Sequence, residues 1–200
     1  MTLLESTPQT PLRESCSPVL ETERLILRAP RSGDAKAIAA LANDRRIAEN
    51  LLRLPHPYGV EDAREFLAAA NARESEATFA LTLRSGELIG VCGFDFNGEQ
   101  APELGYWLGT AHWGQSYATE AARAVIDYAF DDLGYDALLA GARVTNPASR
   151  RVLEKCGFQW TSVGLYRIRA LGSSAPVDRF RLDRRLWASL RNWRGMHRVA

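Results

Sequence analysis

The run YWLGTAHWGQSYATEAARAVIDYAF, residues 106–130, places a short apolar segment before a glycine-containing turn and a long amphipathic stretch. From Ala118 onward the apolar residues recur at steps of three and four, which predicts a helix over residues 117–132 that Gly134 ends. The first N–H groups of a helix have no partner inside it and, together with the helix dipole, they attract anions. The turn at residues 113–118 is therefore a candidate phosphate site, although a plain strand-to-helix connection gives the same pattern.

Two familiar phosphate loops do not match this turn. Its letters WGQSYA contain neither the lysine of a GxxxxGK[ST] loop nor a GxGxxG pattern. A different phosphate binder would need that lysine or a pair of metal-ligating carboxylates, and neither is evident in the sequence. The identity of the phosphate must therefore come from the flanking segments.

Regular elements are predicted on both sides of this helix. On its N-terminal side we expect a strand at 24–28, a helix within 32–44 capped by Ser32 or Asp34, a helix within 55–74 entered through Asp62, a hairpin over 78–94 turning at Ser85-Gly86, and a strand at 102–108. On its C-terminal side we expect a strand at 137–144, a short helix within 146–158 capped by Asn146 and ended by Gly157, and two final strands.

This order of elements predicts an α/β (α+β) fold in a single domain. We expect a flexible arm over residues 1–20, which are rich in Pro, Ser and Thr, a folded domain over 21–188, and a basic tail over 189–200. The arginines and tryptophans after residue 178 are compatible with RNA contact or with a closing strand followed by a short helix, and we favour the second interpretation.

The composition excludes several classes of protein. The chain has 200 residues, 46% of them hydrophobic, and a formal net charge of +1, which fits one globular domain and argues against a nucleic-acid partner. Three cysteines without a CxxC pair indicate neither a disulfide framework nor a zinc site. The first residues do not read as a signal peptide and no apolar run is long enough to span a membrane, so a cytoplasmic protein without a membrane partner is expected.

Two separated motifs in the correct order resemble the GNAT acetyltransferase superfamily. They are ELGYWLGTAHWGQSYATEAARAVIDYAF and, after eleven intervening residues, ARVTNPASRRVLEKCGF. The segments ETERLILRAP and YGVEDAREFL are similar to the branch of ribosomal-protein N-terminal acetyltransferases, and the resemblance covers residues 20–187. It implies a mixed, mostly antiparallel central sheet flanked by helices. It also implies that acetyl-CoA is the co-substrate, bound in a cleft between splayed strands, and that no metal takes part.

The resemblance also assigns the coenzyme site. The superfamily's turn pattern, Gln/Arg-x-x-Gly-x-Gly/Ala, falls on Trp113, Ser116 and Ala118, so Trp replaces Gln/Arg and Ser stands where Gly is usual. If the backbone at Ser116 requires a positive φ, serine costs about 1 kcal/mol there. The residues expected to bind the coenzyme are Leu108, Gly109, Trp113, Gly114, Gln115, Ser116, Tyr117, Ala118, Thr119 and Asn146.

Catalytic roles follow from the same resemblance. Glu103 is expected to be the general base. Without the resemblance, the interpretation of Glu103 would be a solvated glutamate at the start of a strand, in a surface ion pair. Backbone groups of Leu108 and Gly109 are expected to face the thioester oxygen. Asn146 is expected to contact the pantetheine arm as well as cap its helix, and Ser149 to protonate the CoA thiolate. Tyr117 and Tyr166 are the alternatives for that last role.

The acceptor is an amine that the sequence does not identify. An N-terminal peptide, including that of a ribosomal protein, fits the many arginines of the acceptor-side segments better than a polyamine does. A small amine, such as an amino-acid derivative or an antibiotic, remains an alternative acceptor, and a non-catalytic CoA-binding protein is a third hypothesis. The chain is expected to act as a monomer or a homodimer.

Overall fold

Eight strands form one sheet in the computed structural model, which describes residues 18–72, 77–96 and 101–196. The strand order is β1-β2-β3-β4-β5-β6-β8-β7, and every neighbouring pair is antiparallel except β5–β6. The strands are β1 Leu20–Glu21, β2 Leu25–Arg28, β3 Ala77–Leu83, β4 Leu88–Asp95, β5 Glu103–Leu108, β6 Ala137–Arg143, β7 Gln159–Ile168 and β8 Ser173–Asp183. The expected mixed, mostly antiparallel sheet is thus confirmed.

Helices cover both faces of this sheet. They are α1 Ala35–Ala42, α2 Arg45–Ala48, α3 Val60–Ala72, α4 Tyr117–Asp131, α5 Pro147–Cys156 and α6 Arg184–Met196. The predicted hairpin is present, with Gly86 at φ 89° in its turn. The helix of the opening motif, α4, ends within a residue of its predicted bound, and α5 lies inside the predicted segment 146–158, because the apolar stripe and the caps mark them.

The first predicted helix, at 32–44, differs from the structure. A short 3₁₀ turn, Ser32–Asp34, comes before α1, and α2 is a separate helix that the sequence analysis missed. Asp34 does not cap α1 with its side chain. Its carboxylate instead accepts two hydrogen bonds from the Arg28 guanidinium and one from the backbone N–H of Arg31. The Asp34 side chain, predicted to cap α1, therefore ties the turn to β2.

Alternate residues of β5 face two different layers. Leu104 and Leu108 belong to the larger core, which packs against α4 and includes Val125 and Phe130. Trp107 packs instead against the smaller core formed by α1 and α3. Since side chains alternate along a strand, Glu103 and Gly105 share the face of Trp107, and Tyr106 shares the face of Leu104.

The predicted boundary between domain and tail, at 188/189, is wrong, because it falls inside α6. This helix is held by Trp187, whose indole N–H donates to Asp127 Oδ1 at 2.7 Å and whose ring lies 5.0 Å from that of Phe130. The tail through Met196 is therefore a helix docked on α4. Residues 1–17 and 197–200 lie outside the described part of the chain, and of the expected arm only residues 18–20 are described, with Leu20 opening β1.

Candidate functional site

A gap opens in the sheet between β5 and β6. Within the described strands, these two pair only at Glu103↔Leu139 and Leu104↔Ala140, and then continue separately to Leu108 and Arg143. Because β5 and β6 are parallel, their carboxyl ends meet at one edge of the sheet, and the helices that follow them, α4 and α5, both begin at that edge. The splayed cleft expected between two strands is therefore present.

Tyr106 and Leu108 direct backbone groups into this gap. The N–H of Gly109 donates to the Ile89 carbonyl at 2.9 Å, so Gly109 and Ile89 form a hydrogen-bonded pair of the antiparallel ladder. In such a ladder every second residue turns its N–H away from the partner strand. The expectation for Gly109 is therefore wrong as regards its N–H, which β4 already occupies, while Leu108 and the unpredicted Tyr106 face the gap.

The turn before α4 has the backbone that an anion site requires. Gly114 has φ 75° and Ser116 has φ 65°, so both adopt the left-handed conformation. The first α-helical hydrogen bond runs from the Glu120 N–H to the Ser116 carbonyl, and the Ser116 side chain makes no capping bond. The N–H groups of Tyr117, Ala118 and Thr119 thus precede the first helical bond and point out of the helix end.

Two contacts fix this turn against its surroundings. The Trp113 indole N–H donates to the Leu108 carbonyl at 2.9 Å, which ties the turn to the end of β5. The Arg24 guanidinium donates to the Gln115 carbonyl at 3.0 Å and lies 4.6 Å from the centre of the Tyr117 ring. The turn is therefore held by side chains on both of its sides, which leaves its exposed N–H groups fixed in direction.

Glu120 links the first turn of α4 to the segment between β1 and β2. It accepts hydrogen bonds from the Thr22 hydroxyl at 2.7 Å and from the Arg24 N–H at 2.8 Å, and it pairs with the Arg24 guanidinium at 2.6 Å. Burial opposes ionisation of this carboxyl, but these hydrogen bonds and the charge of Arg24 outweigh it and lower the pKa of Glu120. A carboxylate in the first helical turn also interacts favourably with the positive end of the helix dipole.

Asn146 and Ser149 open α5. The Asn146 side-chain oxygen accepts from the Ser149 N–H at 3.1 Å, so Asn146 is the N-cap that the sequence predicts, and Pro147 occupies the first helical turn. Gly157 ends the helix at φ 99°. The cap uses only the oxygen of the Asn146 amide, so this role and the expected contact with pantetheine are compatible.

Tyr106 spans the gap and reaches Ser149. Its hydroxyl oxygen lies 2.9 Å from Ser149 Oγ, and it also donates to the Ser149 carbonyl at 3.2 Å. Burial raises the pKa of Tyr106 well above its ordinary value, although the Ser149 hydroxyl offsets part of this, so the phenol stays protonated at neutral pH. Sequence reasoning missed this residue as a site residue. The alternatives Tyr117 and Tyr166 instead stack against Arg24 and Arg179.

Glu103 lies on the opposite face of β5, in an ion pair with Arg179 of β8. Glu103 Oε1 accepts from Arg179 Nη1 at 2.6 Å, and the side chains are only 13% and 10% exposed. The pair lies over Gly141 of β6, where an added Cβ would come within 3.2 Å of Arg179 Nη1 and of Glu103 Oε1. The alternative reading of Glu103 as an ion-paired residue is thus correct, but the pair is buried against the sheet and not on the surface.

A second pair of the same kind lies beside it. Asp95 is directly opposite Glu103 in the β4–β5 ladder and forms an ion pair with Arg53, from the connection between α2 and α3. Two neighbouring carboxylates on one sheet face are therefore each paired with an arginine. We call this surface, with Glu103, Asp95 and their two arginines, the acceptor face.

The structure brings together most of the predicted site residues, but not all of their side chains. Thr119 is buried, and its carbonyl lies 4.0 Å from Cys156 Sγ, so only its backbone faces the helix end. Along β5, Tyr106 is three residues from Glu103, roughly 10 Å, while Leu108 is roughly 16 Å away. Of the two N–H groups in the gap, that of Tyr106 is nearer the Glu103 carboxylate.

No group of three or more potential metal ligands, and no helix long and apolar enough to cross a membrane, occurs in the described residues.

Comparison with known proteins identifies this arrangement. Residues 24–159 match the family model described as an acetyltransferase (GNAT) domain. The uncharacterized N-acetyltransferase p20 of Bacillus licheniformis is 32% identical over 177 residues, which cover 84% of this chain and 98% of that protein. The uncharacterized N-acetyltransferase YoaA of Bacillus subtilis is 32% identical over 174 residues, covering 80% and 93%.

Solved structures share the fold. A GNAT-family acetyltransferase from Bacillus anthracis aligns with a TM-score of 0.73 at 22% identity, covering 84% of this chain and 99% of that one. RimL, a ribosomal-protein α-N-acetyltransferase in complex with coenzyme A, aligns at 0.73 with 17% identity, covering 83% and 98%. A spermidine N-acetyltransferase from Vibrio cholerae, in complex with CoA and spermine, aligns at 0.71 with 22% identity, covering 84% and 99%.

Proposed function

We propose that this chain acetylates the α-amine of a protein N-terminus by direct attack in a ternary complex. The chain belongs to the GNAT family and is an acetyl-CoA-dependent N-acetyltransferase. The observation that carries the choice of acceptor is the pairing of both central carboxylates of the acceptor face with arginine. A polycation would have to displace these arginines, whereas an α-amine brings a single charge. The comparisons include acetyltransferases for both kinds of acceptor.

Acetyl-CoA is expected to lie along the gap. Its pyrophosphate would meet the N–H groups at the start of α4, where the left-handed Ser116 turns the backbone toward the ligand. Its pantetheine would run between β5 and β6, and its thioester oxygen would accept from the Tyr106 N–H, with Leu108 further up the strand. Fixed backbone donors of this kind stabilise the developing oxyanion without reorganising during the reaction.

The proton transfers are assigned to the two faces of β5. Glu103 would take a proton from the acceptor ammonium, directly or through a water, and the free amine then attacks the thioester carbon. The N–C bond forms, the C–S bond breaks, and the thiolate leaves toward α5. Ser149 Oγ–H would donate to the sulfur, and the protonated Tyr106, whose hydroxyl oxygen lies 2.9 Å from Ser149 Oγ, would turn its O–H from the Ser149 carbonyl to Oγ as the serine hydrogen leaves.

A small amine is the second candidate acceptor. It is favoured by the buried position of the Glu103–Arg179 pair, which leaves a compact charged site, and by the likeness to the spermidine enzyme. A non-catalytic CoA-binding protein is the third candidate. Its one support is that Ser116 stands where glycine is usual. Against it, the backbone at Ser116 has the left-handed conformation that glycine would supply, so the shape of the turn is kept.

The test is CoA thiol release from acetyl-CoA with a panel of acceptors. The panel holds peptides that begin with Ser, Ala, Thr or Met, the same peptides blocked at the α-amine, and a set of amino acids, polyamines and aminoglycosides. Release with free but not blocked peptides is the expected result. Release with a small amine alone would overturn the choice of acceptor, and no release with intact CoA binding would favour the non-catalytic protein.

A further inference from the structure

Arg143 is placed on the acceptor face where β6 has separated from β5. Gly141, two residues earlier, faces the Glu103–Arg179 pair, so the alternation of the strand directs Arg143 to the same side. Its guanidinium Nη1 donates to the Glu49 carbonyl, at the end of α2, at 2.6 Å. Arg143 therefore bridges from the open part of β6 to the helices that cover the acceptor face.

The charge of Arg143 is not neutralised as that of its neighbours is. Arg179 pairs with Glu103, Arg53 with Asp95, and Arg45 with Glu49. No carboxylate in the described residues 18–72, 77–96 and 101–196 forms an ion pair with Arg143. Within the same part of the chain its Nε is buried and has no hydrogen-bond acceptor. The acceptor face thus holds two ion pairs, a third lies on the adjoining α2, and Arg143 adds a positive charge that no carboxylate of the described residues pairs with.

We propose that Arg143 binds an anionic group, a carboxylate, that the acceptor carries a few bonds from its amine. This inference rests on the proposed function, because it assumes that the amine is acetylated at this face. A guanidinium is always charged, and its planar set of donors matches a carboxylate with two parallel hydrogen bonds. The contact with Glu49 fixes the direction of the guanidinium in advance, which reduces the entropy lost on binding.

Two sources can supply this carboxylate. It is the acidic side chain of an early residue in an N-terminal peptide, or the carboxylate of a free amino acid. Either acceptor has an amine and a carboxylate in one small region, which a polyamine lacks. The additional positive charge repels a second ammonium, so it discriminates against polyamines as well as favouring anionic acceptors.

The experiment measures kcat/KM for acceptor pairs that differ only in the anion. One arm uses peptides with Ser first and Asp or Asn second, and Ser first and Glu or Gln second. The other arm uses free amino acids and their amides. The wild-type protein is expected to prefer the anionic member of at least one arm by roughly 10- to 100-fold, the range of a charge-assisted hydrogen bond. The arm in which the preference occurs identifies the source of the carboxylate.

Variants then test whether Arg143 causes the preference. Arg143→Met is expected to reduce the ratio of anionic to neutral kcat/KM to below about threefold, and Arg143→Lys to give an intermediate ratio, since it keeps the charge and loses the planar donors. Arg181→Met is the matched control, because Arg181 is on β8, is 44% exposed and pairs with Asp183, and its loss is expected to leave the ratio unchanged. CoA affinity and thermal melting report on folding in each variant.

The outcomes separate this inference from the proposed function. A wild-type protein that acetylates charged and neutral members equally, or an Arg143→Met variant that retains the full preference, overturns the anion site while leaving the N-acetyltransferase assignment intact. A loss in Arg143→Met that is equal for both members overturns it too, because it indicates a structural role only. Acetylation of polyamines alone overturns both proposals.

Discussion

The two sides of the gap use different chemical groups: backbone N–H groups on the coenzyme side and charged side chains on the acceptor face. On the coenzyme side, the proposed contacts are backbone N–H groups, those of Tyr106, Leu108 and the first turn of α4, in a turn whose shape depends on two left-handed residues. On the acceptor face, the groups that matter are charged side chains held in ion pairs between strands and loops, such as Glu103–Arg179 and Asp95–Arg53. One side is defined by the path of the chain and the other by residues distant in the sequence.

This difference bears on what each side can recognise. Backbone donors at a helix end bind phosphate whatever the side chains are. The coenzyme side therefore tolerates departures from the family's turn pattern, such as Trp113 in place of Gln/Arg and Ser116 in place of Gly. A face of paired charges responds to every charge that is added or removed, since an unpaired buried ion is costly. We therefore expect substitutions on the acceptor face to have larger effects than conservative substitutions on the coenzyme side.

The largest effect is expected for Glu103→Gln. Removing the base should lower kcat by roughly 10²–10⁴-fold, the usual contribution of general base catalysis, with little change in CoA affinity. The measurement is kcat with the preferred acceptor, together with CoA binding by calorimetry. Asp95→Asn is the matched control, because it removes a carboxylate from the neighbouring position and likewise leaves an arginine without its partner.

The control distinguishes catalysis from the loss of an ion pair. If Asp95→Asn is as slow as Glu103→Gln, the effect comes from an unpaired arginine on the acceptor face and the assignment of Glu103 as base is wrong. Because the Glu103–Arg179 pair is the more buried of the two, thermal melting of both variants must accompany the rates. An unfolded Glu103→Gln variant would be replaced by Glu103→Asp, which keeps the charge but withdraws the carboxylate by one methylene.

A smaller effect is expected for Tyr106→Phe, which keeps the ring and the backbone N–H but removes the hydroxyl near Ser149. If Tyr106 orients the serine, kcat should fall by about tenfold, the loss of one hydrogen bond, while KM for acetyl-CoA stays nearly constant. Ser149→Ala should fall at least as far, and the double variant no further than Ser149→Ala alone. Additive losses would show that the two hydroxyls act independently.

How much the sequence predicts also differs between the two sides. Asn146 as a cap, Gly157 as a stop and the start of α4 are local features, encoded by neighbouring residues, and the structure has them where the patterns indicate. The fold class follows from the order of such elements. Even the cost of serine at position 116 is predictable, because a turn pattern that usually has glycine implies a positive φ.

The acceptor face could not be predicted in this way. Glu103 and Arg179 are 76 residues apart, and Tyr106 and Ser149 are 43 apart, so no local pattern links either pair. Alternation along β5 is enough to separate Glu103 from Tyr106, but it does not identify their partners. The Gly109 N–H was misjudged because the choice between the two edges of β5 depends on the hydrogen-bond register with β4, which the sequence does not specify.

The smallest effect is expected on the coenzyme side, at Ser116. Because Ser116 has φ 65° and its side chain caps nothing, Ser116→Gly should raise the free energy of unfolding by about 1 kcal/mol or less, with the relief of strain partly offset by the freer unfolded chain. Calorimetry with CoA should give an affinity within about threefold of the wild type, since backbone N–H groups hold the phosphate. Ser116→Ala keeps the strain and removes the hydroxyl, so a tenfold loss of CoA affinity in both variants would mean that the serine side chain binds the phosphate and that this side, too, relies on a side chain.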